Sequence, residues 1–284
     1  MPMTPRLPVP PGACDTHMHI YGPQSLYPLA ATAGGKAPPA GADVAAYRAL
    51  MARLGLQRVV VVQPSAYGAD NACIMDAVAQ LGECARAVVV VTPATPDAEL
   101  ARLHAAGARG ARFYMMAGAP QGWEALAPVA ARIAPLGWHV QLQFDWTELP
   151  AREAAIRALP CQVVIDHLGR FHPPVPPERQ PVRALLRLLE TGRVWLKASA
   201  PYNSSLTGPP EYADVTAIAR AAIGTAPDRV VWASNWPHPN RPPYPLEEAA
   251  LLDLLGQWTP DDATRRRILA DNAARLYGWP TEAH

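Results

Sequence analysis

Eight short β-branched runs alternate with Ala-, Leu- and Arg-rich stretches of helical spacing, and no linker divides the 284 residues. That pattern predicts an α/β protein folded as one (β/α)8 (TIM) barrel, a single domain over residues 1–284. Such a barrel takes roughly 250 residues, so one would use nearly the whole chain. No GxGxxG follows any of the runs, which counts against an open dinucleotide-binding sheet.

The elements follow in order. Strand one is expected over 13–20 (ACDTHMHI), strand two over 58–65 (RVVVVQPS) and strand three over 86–92 (RAVVVVT). Strand four is expected over 110–115 (GARFYM) and strand five over 138–145 (WHVQLQFD). The last three are 162–167 (QVVIDH), 193–199 (RVWLKAS) and 229–235 (RVVWASN). Their Val, Ile, Trp and Tyr content suits pleated, covered strands. Between and after them lie helices at 43–54, 70–81, 97–106, 123–134, 148–158, 178–190, 212–223, 246–255 and 260–276. Several carry Asp, Pro or Thr near their starts, where unpaired N–H groups favour such residues. Two Pro/Gly-rich loops, 23–41 and 170–181, would lie at the C-terminal face of the barrel, where sites form.

Composition excludes several classes. The net charge is +1 and 17% of residues are charged, so bulk charge invites neither nucleic acid nor a membrane surface. The start, MPMTPRLPVPPG, has no apolar h-region, and runs such as 59–62 and 87–91 are far too short to span a bilayer. Cytoplasmic residence is the default expectation, and a homo-oligomer stays open. Cys14, Cys73, Cys84 and Cys161 are far apart with no CxxC, so they read as buried or half-buried thiols. Many of the 33 prolines sit in loops, where they restrict the unfolded chain.

Polar side chains collect at the strands' C-terminal ends: His17 and His19, Gln63 and Ser65, Arg112 and Tyr114, Gln141 and Gln143, His167, Lys197 and Ser199, and Asn235. In a barrel these converge on one pocket. His17 and His19, two apart, face one side of a strand and can share a metal or a substrate.

The motifs DTHMH, VIDHLGR and VVWASNWPHP resemble the first, sixth and eighth strand motifs of the amidohydrolase superfamily. More narrowly, the chain resembles the group of pyrone-dicarboxylate lactonases and galactarolactone isomerases. The likeness runs from about 11 to 279 and includes QPSAYGADN, GARGARF, GWHVQLQFD and VWLKAS. Metal-dependent members carry a histidine at the end of strand five and an aspartate at the end of strand eight. Gln143 and Asn235 stand there in this chain, and neutral amides are poor zinc ligands. The resemblance therefore implies a metal-independent site without cofactor. Its alternative is a zinc site on His17, His19 and His167.

Arg112, a charge within an apolar strand, reads as a bidentate clamp for a substrate carboxylate or as an ion-paired structural group. Lys197, in a strand covered on both sides, either binds substrate or neutralises a neighbour such as Asp166. Tyr21, Ser65, Tyr67, Tyr202, Asn203 and His238 are further candidates for substrate binding. His104, His139, His172 and His284 carry no expected role. The expected function is a lactone isomerase or lactone hydrolase acting on a small anionic lactone of the sugar-acid or pyrone type. His17, His19, His167 and Asn235 are its expected catalytic residues. A zinc-dependent hydrolase or decarboxylase of the same superfamily, and a catalytically silent ligand-binding barrel, are the alternatives.

Overall fold

Strands β1 (Cys14–Met18), β2 (Arg58–Val62), β3 (Ala85–Val89), β4 (Ala108–Tyr114), β5 (His139–Gln143), β6 (Val163–Ile165), β7 (Val194–Ala198) and β8 (Val230–Trp232) pair in parallel, in chain order. The structure is a computed structural model that describes residues 3–31, 39–116, 118–240 and 242–280. The ring closes through β1 and the segment after β8. Asn235 N donates to His17 O at 2.9 Å and His19 N to Trp236 O at 2.8 Å. The result is a (β/α)8 barrel.

Helices α1 (Val44–Leu54), α2 (Ala72–Leu81), α3 (Asp97–Ala105), α4 (Leu126–Ile133), α5 (Leu149–Arg157), α6 (Gln180–Glu190) and α7 (Ala213–Thr225) cover the strands. Asp43 starts α1 by accepting from Ala46 N at 2.8 Å, and Gly55, at φ 71°, ends it. Both are the chemistry that helix ends favour. On α6 the apolar stripe Val182, Leu185, Leu188 and Leu189 is buried, as an amphipathic helix on a sheet requires. The expected helix at 246–255 divides into α8 (Glu248–Asp253) and α9 (Leu255–Trp258). The helix expected at 260–276 is α10 (Asp262–Arg266), a wide turn, and α11 (Asn272–Tyr277).

Alternation along the strands divides the core. Val59, Val61, Val140 and Leu142 face the helices, while Val60, Val62, Val88 and Val164 face inward. Tyr277 and Trp279 pack with the inner set and close the bottom of the barrel. His139 begins β5 at this bottom, fully buried against Tyr277, with rings 5.2 Å apart. Gly110 makes room for it, because a Cβ there would come within 2.5 Å of His139 Nε2.

The expected strands run past the observed ones at their C-terminal ends. Gln63, Ser65, His167, Ser199 and Asn235 lie beyond the last paired residue, where the chain turns outward to begin the loops. No helix among the described residues is long and apolar enough to cross a membrane. Part of the 23–41 loop (32–38) and His284 lie outside the described residues.

Candidate active site

A cavity opens at the C-terminal end of the barrel. Its buried end is lined by His19, His167 and Asn235, its wall by Arg112, Tyr114 and Gln143, and its exposed end by Ser65, Asn203 and Met116. Tyr21 and Pro39 complete one side. Among the described residues no acidic side chain lines this cavity, and Arg112 is its one fixed charge.

β1 supplies His17 and the residue just past it supplies His19. Asp15 anchors this strand end. Its carboxylate accepts from His17 N (3.1 Å), Ser234 N (2.9 Å) and the Tyr47 hydroxyl (2.9 Å), tying β1 to the segment after β8. His19 Nδ1 lies 2.8 Å from Val62 O. A carbonyl only accepts, so Nδ1 carries the hydrogen and Nε2 keeps a lone pair. That Nε2 faces His17 Nε2 at 3.3 Å.

His17 sits beneath the cavity floor at a junction of charges. Its Nδ1 is 3.2 Å from Asp166 Oδ1, 3.3 Å from Lys197 Nζ and 3.3 Å from Gln141 Nε2. Lys197 donates to Thr16 O and Gln141 Oε1, both at 2.7 Å, and stands 3.7 Å from Asp166 Oδ1. Burial brings Lys197 down to about 8 against the pull of Asp166. Burial, then the Lys197 charge, holds His17 well below the usual histidine range. Burial and then Arg112 take His19 down to about 3. His167, held by Ser199 Oγ at 2.9 Å, is also pushed down, mainly by burial. The three imidazoles are therefore neutral near pH 7.

Arg112 donates to Gln63 O and, from Nη2, to Gln143 Oε1 at 3.0 Å, while its buried Nε has no partner. Two hydrogen bonds hold the guanidinium and one edge is left for a ligand. Asn235 Nδ2 donates to the Tyr202 hydroxyl (2.8 Å), which lies 2.8 Å from His238 Nδ1.

Of the twelve residues expected at the site, His19, Tyr21, Ser65, Arg112, His167, Asn203 and Asn235 line the cavity. His17 and Lys197 lie under its floor and are fully buried. Tyr67 stands behind the wall, where its hydroxyl accepts from Gly22 N at 3.0 Å. Tyr202 and His238 stand behind Asn235. Tyr114 and Gln143, expected among the converging strand-end groups though given no role, lie on the wall; Gln141 and Asp166, the expected neighbour of Lys197, lie beneath the floor; Met116 on the wall was not expected. A polar position at a strand end was the available signal, and Met116 offered none.

Ligand atoms of His17, Asp166 and His167 lie within 4.8 Å of one another, a grouping able to hold an ion. A divalent cation nevertheless suits this set poorly. The only carboxylate in it already faces Lys197. The ends of β5 and β8 contribute the neutral Gln143, occupied by Arg112, and Asn235. Lys197 and Arg112 are two fixed cations beside the proposed ligands, and like charge opposes a third.

The sequence profile of the amidohydrolase family matches residues 14–279. The chain is 37% identical to a 2-pyrone-4,6-dicarboxylate hydrolase of Comamonas testosteroni, over 99% of this chain and 94% of that one. It is 36% identical to a D-galactarolactone isomerase of Agrobacterium fabrum, over 94% of this chain and 91% of that one. A ligand-free crystal structure of an Agrobacterium tumefaciens protein superposes with a TM-score of 0.90 at 36% identity, covering 96% of this chain and 98% of that one.

Proposed function

The chain belongs to the amidohydrolase family, and from that premise we propose that it isomerises a small anionic lactone without a resident metal. One observation carries the reading: a cavity whose single fixed charge among the described lining residues is the Arg112 cation, with neutral imidazoles and no acid among those lining residues. Arg112 receives the substrate carboxylate through its free edge. Acyl transfer then needs a proton taken from the attacking hydroxyl and one returned to the leaving ring oxygen. With His17 Nδ1 donating to Asp166 and His19 Nδ1 to Val62 O, the facing Nε2 lone pairs take up the proton of the attacking hydroxyl between them and return it to the leaving oxygen. Lys197, charged below about pH 8, keeps positive potential under the developing oxyanion. Asn235 positions and is no base.

Moving the acyl group to a hydroxyl already on the substrate draws on proximity and needs no activated water. Hydrolysis needs an activated water, and no carboxylate among the described residues lines the cavity to activate it. Hydrolysis is the second reading, favoured by the name of the Comamonas relative. The four cysteines are unpaired thiols, which suits the cytoplasm where we place the protein.

The experiment is product NMR in 18O-labelled water with carboxylated sugar and pyrone lactones, alongside metal analysis and chelation of the purified protein. Isomerised lactone free of solvent oxygen, unaffected by chelation, is the expected result. Ring-opened acid carrying solvent oxygen replaces the first reading by the second. One equivalent of zinc, with activity lost on chelation, overturns metal independence.

A further inference from the structure

Behind Asn235 a line of buried polar groups runs away from the cavity to the start of α8. Asn235 Nδ2 donates to Tyr202 Oη at 2.8 Å, Tyr202 Oη lies 2.8 Å from His238 Nδ1, and His238 Nε2 lies 3.4 Å from Glu248 Oε1. Asn235, Tyr202 and His238 are each less than a tenth exposed. Among the described residues His238 Nε2 has no formed hydrogen bond, and the Glu248 carboxylate is its ion-pair neighbour. Glu248 is also held from its other side, by Arg53 Nη2 at 2.8 Å.

The hydrogens in this line have one consistent direction. A carboxylate only accepts, and an imidazole lone pair aimed at it would be repelled, so His238 carries its hydrogen on Nε2. Its Nδ1 is then an acceptor, and the Tyr202 O–H donates to it. The Tyr202 oxygen is left to accept, which it does from the Asn235 amide N–H. The Asn235 amide is thereby oriented with its nitrogen to the wall and its carbonyl oxygen to the cavity. Amide orientation and histidine tautomer follow from the network in this way.

We propose that Glu248 is a positioning residue which, through His238 and Tyr202, makes Asn235 present a hydrogen-bond acceptor to the ligand and so selects lactones that carry a hydroxyl group. This rests on the lactone reading above and narrows it. An acceptor at the buried end of the cavity pairs with a hydroxyl and repels a second carboxylate. Arg112 takes one carboxylate on the opposite wall. A hydroxylated lactone acid satisfies both groups, whereas a flat dicarboxylate without a hydroxyl satisfies one.

Glu248→Gln supplies an amide N–H in place of the carboxylate and reverses every donor in the line. His238 then carries its hydrogen on Nδ1, Tyr202 donates towards Asn235, and the amide turns its N–H2 to the cavity. Two measurements on the full-length protein test this. The first is 15N NMR of the histidine rings without ligand: His238 is expected as the Nε2–H tautomer in the parent and as Nδ1–H in Glu248→Gln. An Nδ1–H tautomer in the parent overturns the inference whatever the enzyme acts on. The second is calorimetric binding of D-galactarolactone, which bears hydroxyls, against 2-pyrone-4,6-dicarboxylate, which bears none. The ratio of the two affinities is expected to fall by about tenfold in Glu248→Gln, the scale of one exchanged buried hydrogen bond. It should hold in Arg53→Met, which removes only the outer contact of Glu248. An unchanged ratio in Glu248→Gln overturns the selection. If the parent binds neither lactone, the lactone reading falls, and the tautomer in the parent still decides the orientation of Asn235.

Discussion

Arg112 does two jobs with one guanidinium. It braces the segment after β2 and the end of β5 through Gln63 O and Gln143 Oε1, and it leaves a buried Nε without a partner in the wall of the cavity. Arg112→Met is expected to weaken anionic lactone binding about 10- to 150-fold, or roughly 1.5–3 kcal/mol, the worth of a charge-assisted contact. Arg112→Lys should recover little of this, because a single ammonium cannot reach both walls and a ligand. Calorimetry with one lactone decides it: parent-like affinity in Arg112→Met would end the clamp. The sequence made Arg112 visible because a charge inside an apolar strand needs a reason. His17 and His19 were visible by their spacing. The burial of Lys197 was legible from its covered strand; the depths of Tyr202 and His238 were not, since depth behind a loop is set by tertiary packing and leaves no local pattern. Glu248 was less visible still: within PLEEAAL it reads as an ordinary solvated helix start. Burial would raise the Glu248 carboxyl, but His238, its own backbone and Arg53 hold it down to about 2.

Several residues at the loop ends of the elements occupy the left-handed region. After β6 these are His167, Leu168 and Arg170, after β7 it is Ala200, and after β8 they are Asn235 and His238. Such backbone costs a non-glycine residue about 1–2 kcal/mol. These turns explain why the strands were expected to be too long. The polar residues continued the alternation in sequence, yet the chain had already left the sheet to aim them at the cavity. At His167 and Asn235 the side chain is needed, so the strain stays. Ala200 has φ 47° and contributes only a methyl group. Ala200→Gly is therefore expected to stabilise the fold by up to about 1 kcal/mol, the relief being partly offset by the added freedom of the unfolded chain. Urea denaturation reads this directly, and a loss of more than about 1 kcal/mol would mean that the buried methyl matters more than the turn.

Across the whole molecule, burial of uncharged histidine links stability to pH. His19 and His139 are both held at about 3 by burial. Below the ordinary histidine value of about 6.5 the unfolded chain takes up protons that the folded chain refuses. Stability is thus fully present above about 6.5 and is lost as pH falls towards 3, by on the order of a few kcal/mol per group. The denaturation midpoint should be level from pH 8 to 6.5 and then decline. His139→Leu should flatten that decline, because both ring nitrogens of His139 are buried without partners. A midpoint level down to pH 4 would contradict the account. The barrel itself was the most legible feature, since eight alternations leave few other topologies; its closure was not, because β1 is stitched to Asn235 and Trp236 rather than to a strand run. That closure has a consequence for how the protein is made. A ribosome delivers β1 first and the Asn235–Trp236 stitch more than two hundred residues later. Until then β1 has one unpaired edge. A nascent chain stalled before β8 is an open sheet with two adhesive edges, and catalytic competence arrives in a single late step of synthesis.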